Sequence, residues 1–442
     1  MALPELPAEA RRLLVWLTFW VILPSAPFMI LWFVGGPPRS LEIIGFGIIG
    51  LCLRRAPRLL QLAAWFAAFG YMCLSFVSAM FNLGIWSMAH SLRFAADLRL
   101  GESPHYLVMA AALLVTFLAA FLLSARDQEF RDWRLIPVAA IAVLGFQMLD
   151  YRMTHASQGS YNRSAPGDTP WQAGIEHLDL AGAIAARRNV IVIVVESLGV
   201  PRDARVRGML TAPFDNPAIR ARYNVSTGTT PYFGSTTAGE IRELCGRWGE
   251  YHGLENRRDD GCLPARLRAA GYDTTAVHSF TGSFFNRAAW YPNIGFDRMI
   301  FGQELIERGA RTCPGVFPGA CDRDVAAMLL DQLRGKDDPQ FLYFLTVNTH
   351  LPVLVDPNMG TEDCANFDPT LARDFAMICR LMQGYRQIAS ELVTSFTDPD
   401  LPPSDILIVG DHMPPFYDRA HRDQFSGSHV PWILLEHRAQ GG

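Results

Sequence analysis

Apolar residues are crowded into the first third of this chain, and that restricts its fold more than any other feature. Five apolar stretches, Leu13–Val34, Leu41–Leu53, Leu59–Leu83, Tyr106–Ala125 and Leu135–Leu149, follow one another with short polar breaks. In hydrocarbon every backbone N–H and C=O must be paired within the chain, so such stretches become helices. Three of them have the about 20 residues that a spanning helix needs. Leu41–Leu53 and Leu135–Leu149 are short enough to be re-entrant or interfacial pieces instead. With five spans and the N-terminus inside, the inner loops hold Arg11, Arg12, Arg54, Arg55, Arg58, Arg126, Arg131 and Arg134, and the outer loops hold Arg39, Arg93 and Arg99. That asymmetry follows the positive-inside rule and places the rest of the chain outside the cytoplasm. The first stretch has no small-residue cleavage site and is followed by more spans, so it reads as an anchor. Between the spans, Trp86–Phe94 is amphipathic and reads either as a segment lying on the membrane surface or as an ordinary loop.

The organisation that follows is a transmembrane domain over 1–151, a polar linker over 152–188 and a catalytic domain over 189–442. A net charge of −4 gives no reason to expect a nucleic-acid partner, and Lys336 is the only lysine, so anions must be held by Arg, His, backbone or metal. Cys52 and Cys73 lie in the apolar stretches, while Cys245, Cys262, Cys313, Cys321, Cys364 and Cys379 lie in the exported part. An even number outside the cytoplasm suggests disulfides. Local pairing, 245–262, 313–321 and 364–379, is the simplest of the fifteen connectivities that six cysteines allow. No CxxC spacing supports a cysteine zinc site.

In the second part, strand patterns at 189–195, 273–278, 341–347, 405–410 and 431–435 alternate with helical ones at 263–270, 323–334 and 371–395. Such alternation predicts a mostly parallel α/β sheet with helices on both faces. Two of the apolar runs end in ligand-type residues: Asn189–Val195 leads into Glu196, and Ile406–Gly410 into Asp411-His412. Open α/β sheets gather ligands at the carboxyl ends of their strands. A Thr from the turn Gly234-Ser-Thr-Thr-Ala-Gly-Glu240 would complete an O/O/O/N set for a divalent ion.

Taken in order, strand-Glu196-Ser-Leu, Gly234-Ser-Thr-Thr-Ala-Gly-Glu240, Leu263-Pro-Ala-Arg-Leu-Arg-Ala-Ala-Gly-Tyr272, His278 with Phe284-Phe-Asn-Arg287, Asn348-Thr-His-Leu-Pro352 and strand-Gly410-Asp-His412 resemble the membrane-anchored phosphoethanolamine and phosphoglycerol transferases of bacterial envelopes, in the alkaline phosphatase/sulfatase superfamily. The resemblance is motif by motif over 189–435 and loose before that. It implies an alkaline-phosphatase-like (sulfatase-like) domain behind a helical transmembrane bundle, at the bacterial inner membrane with the catalytic domain in the periplasm. Thr236 would be the nucleophile, with Thr237 as its rival and a helix-capping role as the alternative for both. Glu196, Asp411 and His412 would hold one divalent metal with Thr236, zinc first and manganese second. His278, Arg287 and His350 would bind the phosphate or acceptor, unless the histidines serve the core and Arg287 a structural ion pair.

The implied reaction moves phosphoethanolamine from phosphatidylethanolamine to an envelope lipid or glycan, such as lipid A, through a phospho-threonine. Phosphoglycerol from phosphatidylglycerol, hydrolysis by a sulfatase or phosphodiesterase, and an inactive lipid-binding regulator are the alternatives. Intact Glu196, Thr236, Asp411 and His412 count against the last. Cys262-Leu-Pro-Ala-Arg266 also matches the Cys-x-Pro-x-Arg heart of the sulfatase signature, but it follows the Thr turn and reads as half of a disulfide.

Overall fold

The computed structural model describes residues 7–34, 36–80, 83–99, 101, 104–154, 165–416 and 418–438. The chain divides into two compact units: Met1–Ala89 with Pro104–Asn162 and Tyr417–Arg419, and His90–Ser103 with Arg163–Phe416 and Ala420–Gly442.

In the first unit helices form within each of the five apolar stretches, but the expectation of about five spans is corrected. Among the described residues only Arg58–Met80 and Leu135–Thr154 are long and apolar enough to cross a membrane; Ser40–Leu53 and Leu107–Leu123 are shorter. The first stretch is broken where Pro24 and Pro27 lack a backbone N–H, passing from helix Ala8–Leu17 through a π-turn, Thr18–Ile22, to a 3₁₀ turn, Ala26–Phe28. Inside the unit Trp65 stacks on Phe69 at 4.8 Å. Outward-facing Leu59, Leu122 and Ile141 are exposed, the all-round apolarity of helices that suit lipid. From the stretch read as a linker, residues 155–164 lie outside the described residues; the remainder includes a 3₁₀ turn, Gly174–His177, and a helix, Leu180–Ala185, capped by Asp179.

Among the described residues the second unit has nine strands: β1 Asn189–Val195, β2 Tyr223–Pro231, β3 Asp273–His278, β4 Arg298–Phe301, β5 Thr312–Cys313, β6 Gly319–Ala320, β7 Gln340–Leu345, β8 Ser404–Gly410 and β9 His429–His437. Seven form one sheet in the order β2-β9-β8-β1-β7-β3-β4, and β5 pairs with β6 separately. The five strands from β8 to β4 run parallel, β9 is antiparallel to them, and β2, antiparallel to β9, runs in their direction again. Every residue of β1, β7 and β8 is buried, which is why these segments read as unbroken apolar runs. Three disulfides, Cys245–Cys262, Cys313–Cys321 and Cys364–Cys379, close the pairings expected from spacing, and Cys52 and Cys73 are free.

The parallel register brings four strand ends together. Glu196 leaves β1, Asp411 leaves β8, Thr346 leaves β7 and His278 ends β3. Gly410 is required here, since a Cβ would lie 2.0 Å from the Leu198 carbonyl oxygen.

Candidate active site

Each carboxylate at the strand ends is fixed from several directions. The Glu196 backbone N–H donates to Thr346 Oγ1 at 2.9 Å, and Thr349 Oγ1 donates to the Glu196 carbonyl at 2.6 Å. Ser197, in a left-handed conformation with φ 57°, donates from its backbone N–H to Asp411 Oδ1 at 2.8 Å and from its hydroxyl to Glu196 Oε1 at 2.9 Å. Buried Arg242 donates to the Gly410 and Asp411 carbonyls at 2.7 and 3.2 Å, which holds the end of β8 from behind.

Helix Thr236–Cys245 starts at this point. Gly239 lets it come close, because a Cβ there would already touch Asp411 at 3.0 Å. Thr236 Oγ1 donates to Glu196 Oε2 at 3.0 Å and lies 3.3 Å from His412 Nε2. Thr237 instead turns to Glu250 at 2.6 Å and is wholly buried. The helix therefore presents only one of the two hydroxyls to the strand ends.

Glu196, Asp411 and His412 offer ligand atoms all within 4.8 Å of one another. Asp411 Oδ2 is buried without a hydrogen-bond partner among the described residues, and His412 Nε2 lies 3.4 Å from it and 3.6 Å from Glu196 Oε1. Burial, and then the Glu196 charge, push the Asp411 carboxyl up to about 7. Burial works against ionised Glu196 too, but His350 and His412 outweigh it and hold that carboxyl low. Two buried carboxylates, an imidazole and a hydroxyl are a donor set that fits a divalent ion.

A prediction follows from the sign of the Asp411 shift. The folded state holds this proton up to about 7, against about 3.9 for an unfolded aspartate. The metal-free protein therefore loses stability as pH rises from about 4 through 7. A metal held by Asp411 would replace that proton, so metal stabilisation should be larger at pH 8 than at pH 5.5. A fixed zinc concentration about 100 times the Kd at pH 8 would add about 2.7 kcal/mol there, or about 5–11 °C in Tm, and less at pH 5.5. Thermal scans in EDTA and in zinc at both pH values test this; equal increments, or an increment undiminished in Asp411→Asn, would contradict it.

The remaining expected residues are close but differently engaged. His350 lies within electrostatic reach of Glu196 and His412, and burial lowers its pKa; its Nδ1 faces the Leu351 carbonyl at 2.7 Å and its ring packs on Phe317. His278 is held neutral by burial and then by the Arg287 charge. Its Nδ1–H donates to the Leu345 carbonyl at 3.0 Å, so Nε2 accepts from Arg287 Nη1 at 3.5 Å. Arg287 is 2% exposed and turned to Glu240, with Nε and Nη2 donating to Oε2 at 3.1 and 2.8 Å. Asp322 was not anticipated: it accepts the Val347 and Asn348 backbone N–H groups at 2.9 and 2.6 Å, and burial pushes it up to about 6. Its only sequence signal is its position as an acid opening the helix Asp322–Met328.

Residues 188–435 match the sulfatase family. The chain belongs to that family. Within this sulfatase-family domain Cys262 is wholly buried in its disulfide with Cys245, so the Cys-x-Pro-x-Arg match supplies no nucleophile. A relative, a putative cyclic beta-1,2-glucan modification protein of Rhizobium meliloti, is 24% identical over 256 residues, covering 56% of this chain and 38% of that protein. The match thus spans less than half the relative's length. Among solved structures, the lipoteichoic acid synthase LtaP of Listeria monocytogenes is similar at 14% identity and a TM-score of 0.43, over 65% of this chain and 72% of that one. The periplasmic domain of Escherichia coli EptC, a zinc complex, is similar at 14% and 0.38, over 57% and 73%. The Streptococcus pyogenes phosphoglycerol transferase GacH, with sn-glycerol-1-phosphate, is similar at 17% and 0.37, over 56% and 68%.

Proposed function

We propose that this chain is a metal-dependent transferase of the bacterial inner membrane, with its catalytic domain in the periplasm. In this reading it moves phosphoethanolamine from phosphatidylethanolamine to an envelope acceptor through phospho-Thr236. The observation that carries the reading is the Thr236 hydroxyl, held 3.0 Å from Glu196 and 3.3 Å from His412 at the start of a helix. Two helices apolar enough for a bilayer favour a lipid donor, and three disulfides suit an oxidising compartment. The name of the Rhizobium relative favours a glycan acceptor, with lipid A as the alternative.

A divalent ion held by Glu196, Thr236, Asp411 and His412, zinc or manganese, would acidify the hydroxyl and polarise the phosphoryl oxygen. Thr236 Oγ1 attacks phosphorus; its O–P bond forms as the P–O bond to diacylglycerol breaks. The proton released by Thr236 passes to His350, neutral at the outset because burial lowers its pKa, and His350 hands it on to the departing diacylglycerol oxygen. The acceptor hydroxyl then attacks the same phosphorus and passes its proton to His350, which returns it to the Thr236 oxygen as the Thr236 O–P bond breaks. The helix N-terminus offers backbone N–H groups and the positive end of its dipole to the phosphate. His278, with its tautomer fixed and Arg287 behind it, lines the phosphate side in this scheme.

Intact mass spectrometry and peptide mapping after incubation with phosphatidylethanolamine or phosphatidylglycerol, with zinc and no acceptor, test the proposal. A phosphoethanolamine adduct on Thr236 is expected. A phosphoglycerol adduct would change the donor and keep the mechanism. No adduct from either lipid would favour hydrolysis or lipid binding alone.

A further inference from the structure

A second group of ligand-type side chains lies in the same unit and shares no residue with the strand-end cluster: His90, His252 and Glu255, whose ligand atoms are all within 4.8 Å of one another. His252 lies in the 3₁₀ turn Tyr251–Leu254 and Glu255 directly follows it, at positions i and i+3, which eclipse in that geometry and so share a face. His90 comes from the end of helix Ile85–Ser91. The two imidazoles stand 5.0 Å apart at 80°, and His90 Nε2 lies 3.4 Å from Glu255 Oε1. His252 Nε2 is buried and has no hydrogen-bond partner among the described residues, an uncommon state for an imidazole nitrogen.

Glu255 is already oriented. Its Oε1 accepts from Asn286 Nδ2 at 3.0 Å and from Arg93 at 2.9 Å. Carboxylates that ligate metals are held by outer hydrogen bonds of this kind. An Arg–Glu pair alone would explain Glu255 and Arg93 but would leave the buried His252 nitrogen without a purpose. We propose that His90, His252 and Glu255 bind a second divalent ion of the zinc class, through two imidazole nitrogens and one carboxylate. Two nitrogens and one oxygen suit zinc better than magnesium or calcium, which prefer all-oxygen ligands.

Such an ion has a structural consequence next to the candidate active site. Glu255 holds Asn286, which with Phe285 is in the left-handed region (φ 54° and 52°), and the next residue is Arg287. Phe94, from the same segment as His90, packs on Phe284 and Phe285. The second ion would therefore clamp segment 90–94 onto the strained turn that sets Arg287. This inference stands apart from the proposed transfer reaction.

The test is metal counting on the full-length protein in detergent, loaded with zinc, desalted and measured by plasma mass spectrometry. Two zinc ions per chain are expected in the wild type, one in His252→Ala, one in Glu255→Gln, one in Asp411→Asn and none in His252→Ala/Asp411→Asn. A single ion lost in His252→Ala but kept in Asp411→Asn would support this site and sink the strand-end metal site. An unchanged count in both His252→Ala and Glu255→Gln overturns the inference. Thermal melts in EDTA show which variants fold, and His90→Gln, at a 36% exposed side chain, gives the same readout if His252→Ala does not.

Discussion

Thr236→Ala should abolish lipid cleavage, by about 10³-fold or more as for other lost nucleophiles, whereas Thr237→Ala should leave turnover within a few-fold. The two hydroxyls are adjacent in sequence, and the fold separates them. Thr236 Oγ1 lies among Glu196 and His412; Thr237 Oγ1 donates to Glu250 at 2.6 Å. Burial pushes the Glu250 carboxyl up to about 7, so it can stay protonated when Thr237 is removed. Losing that hydrogen bond should cost about 1–2 kcal/mol of stability and little activity. Release of diacylglycerol from labelled phosphatidylethanolamine measures both variants. If Thr237→Ala were the inactive one and Thr236→Ala the active one, the assignment of the nucleophile would be reversed.

The strand ends were readable because chemistry and burial coincide there. A strand buried on both faces must be apolar throughout, so Glu196 and Asp411-His412 stand out after β1 and β8. The β2 segment, Tyr-Asn-Val-Ser-Thr-Gly-Thr-Thr-Pro, gave no such contrast, since as an edge strand it is exposed along most of its length and is defined by pairing with β9. Four-residue β4 is another edge strand, too short to show a period. The break in the first apolar stretch follows from Pro24 and Pro27, which hydropathy alone passes over. The His90–His252–Glu255 group was illegible for a different reason: its members are remote in sequence, and only folding places them side by side. Arg287 was legible as a functional-looking arginine, but its partner Glu240 was visible only as the last letter of the Thr motif.

That pair carries the other large expected effect. Glu240 is fully buried and accepts from Arg287, from the Tyr343 hydroxyl at 3.1 Å and from the Tyr291 hydroxyl. Both tyrosines have their pKa raised by burial and then by a neighbouring ionised or phenolic group, Glu240 foremost, so they stay protonated and can donate. Glu240→Ala leaves the Arg287 cation buried with the Phe284 carbonyl and His278 as its acceptors among the described residues. Breaking a buried ion pair on one side costs about 3–5 kcal/mol, or about 6–20 °C in Tm at about 2–4 °C per kcal/mol. Glu240→Gln should cost less, because the amide oxygen still accepts. Glu240→Ala/Arg287→Ala should cost clearly less than the two single changes added, because the second removes the charge that the first strands; strict additivity would show that the pair is not coupled. Glu240 is also one helical turn beyond Thr236, so this anchor holds the helix that presents the nucleophile. Conditions that keep Glu240→Gln folded should therefore show a lower kcat at an unchanged zinc count, a combination that loss of the metal site would not produce.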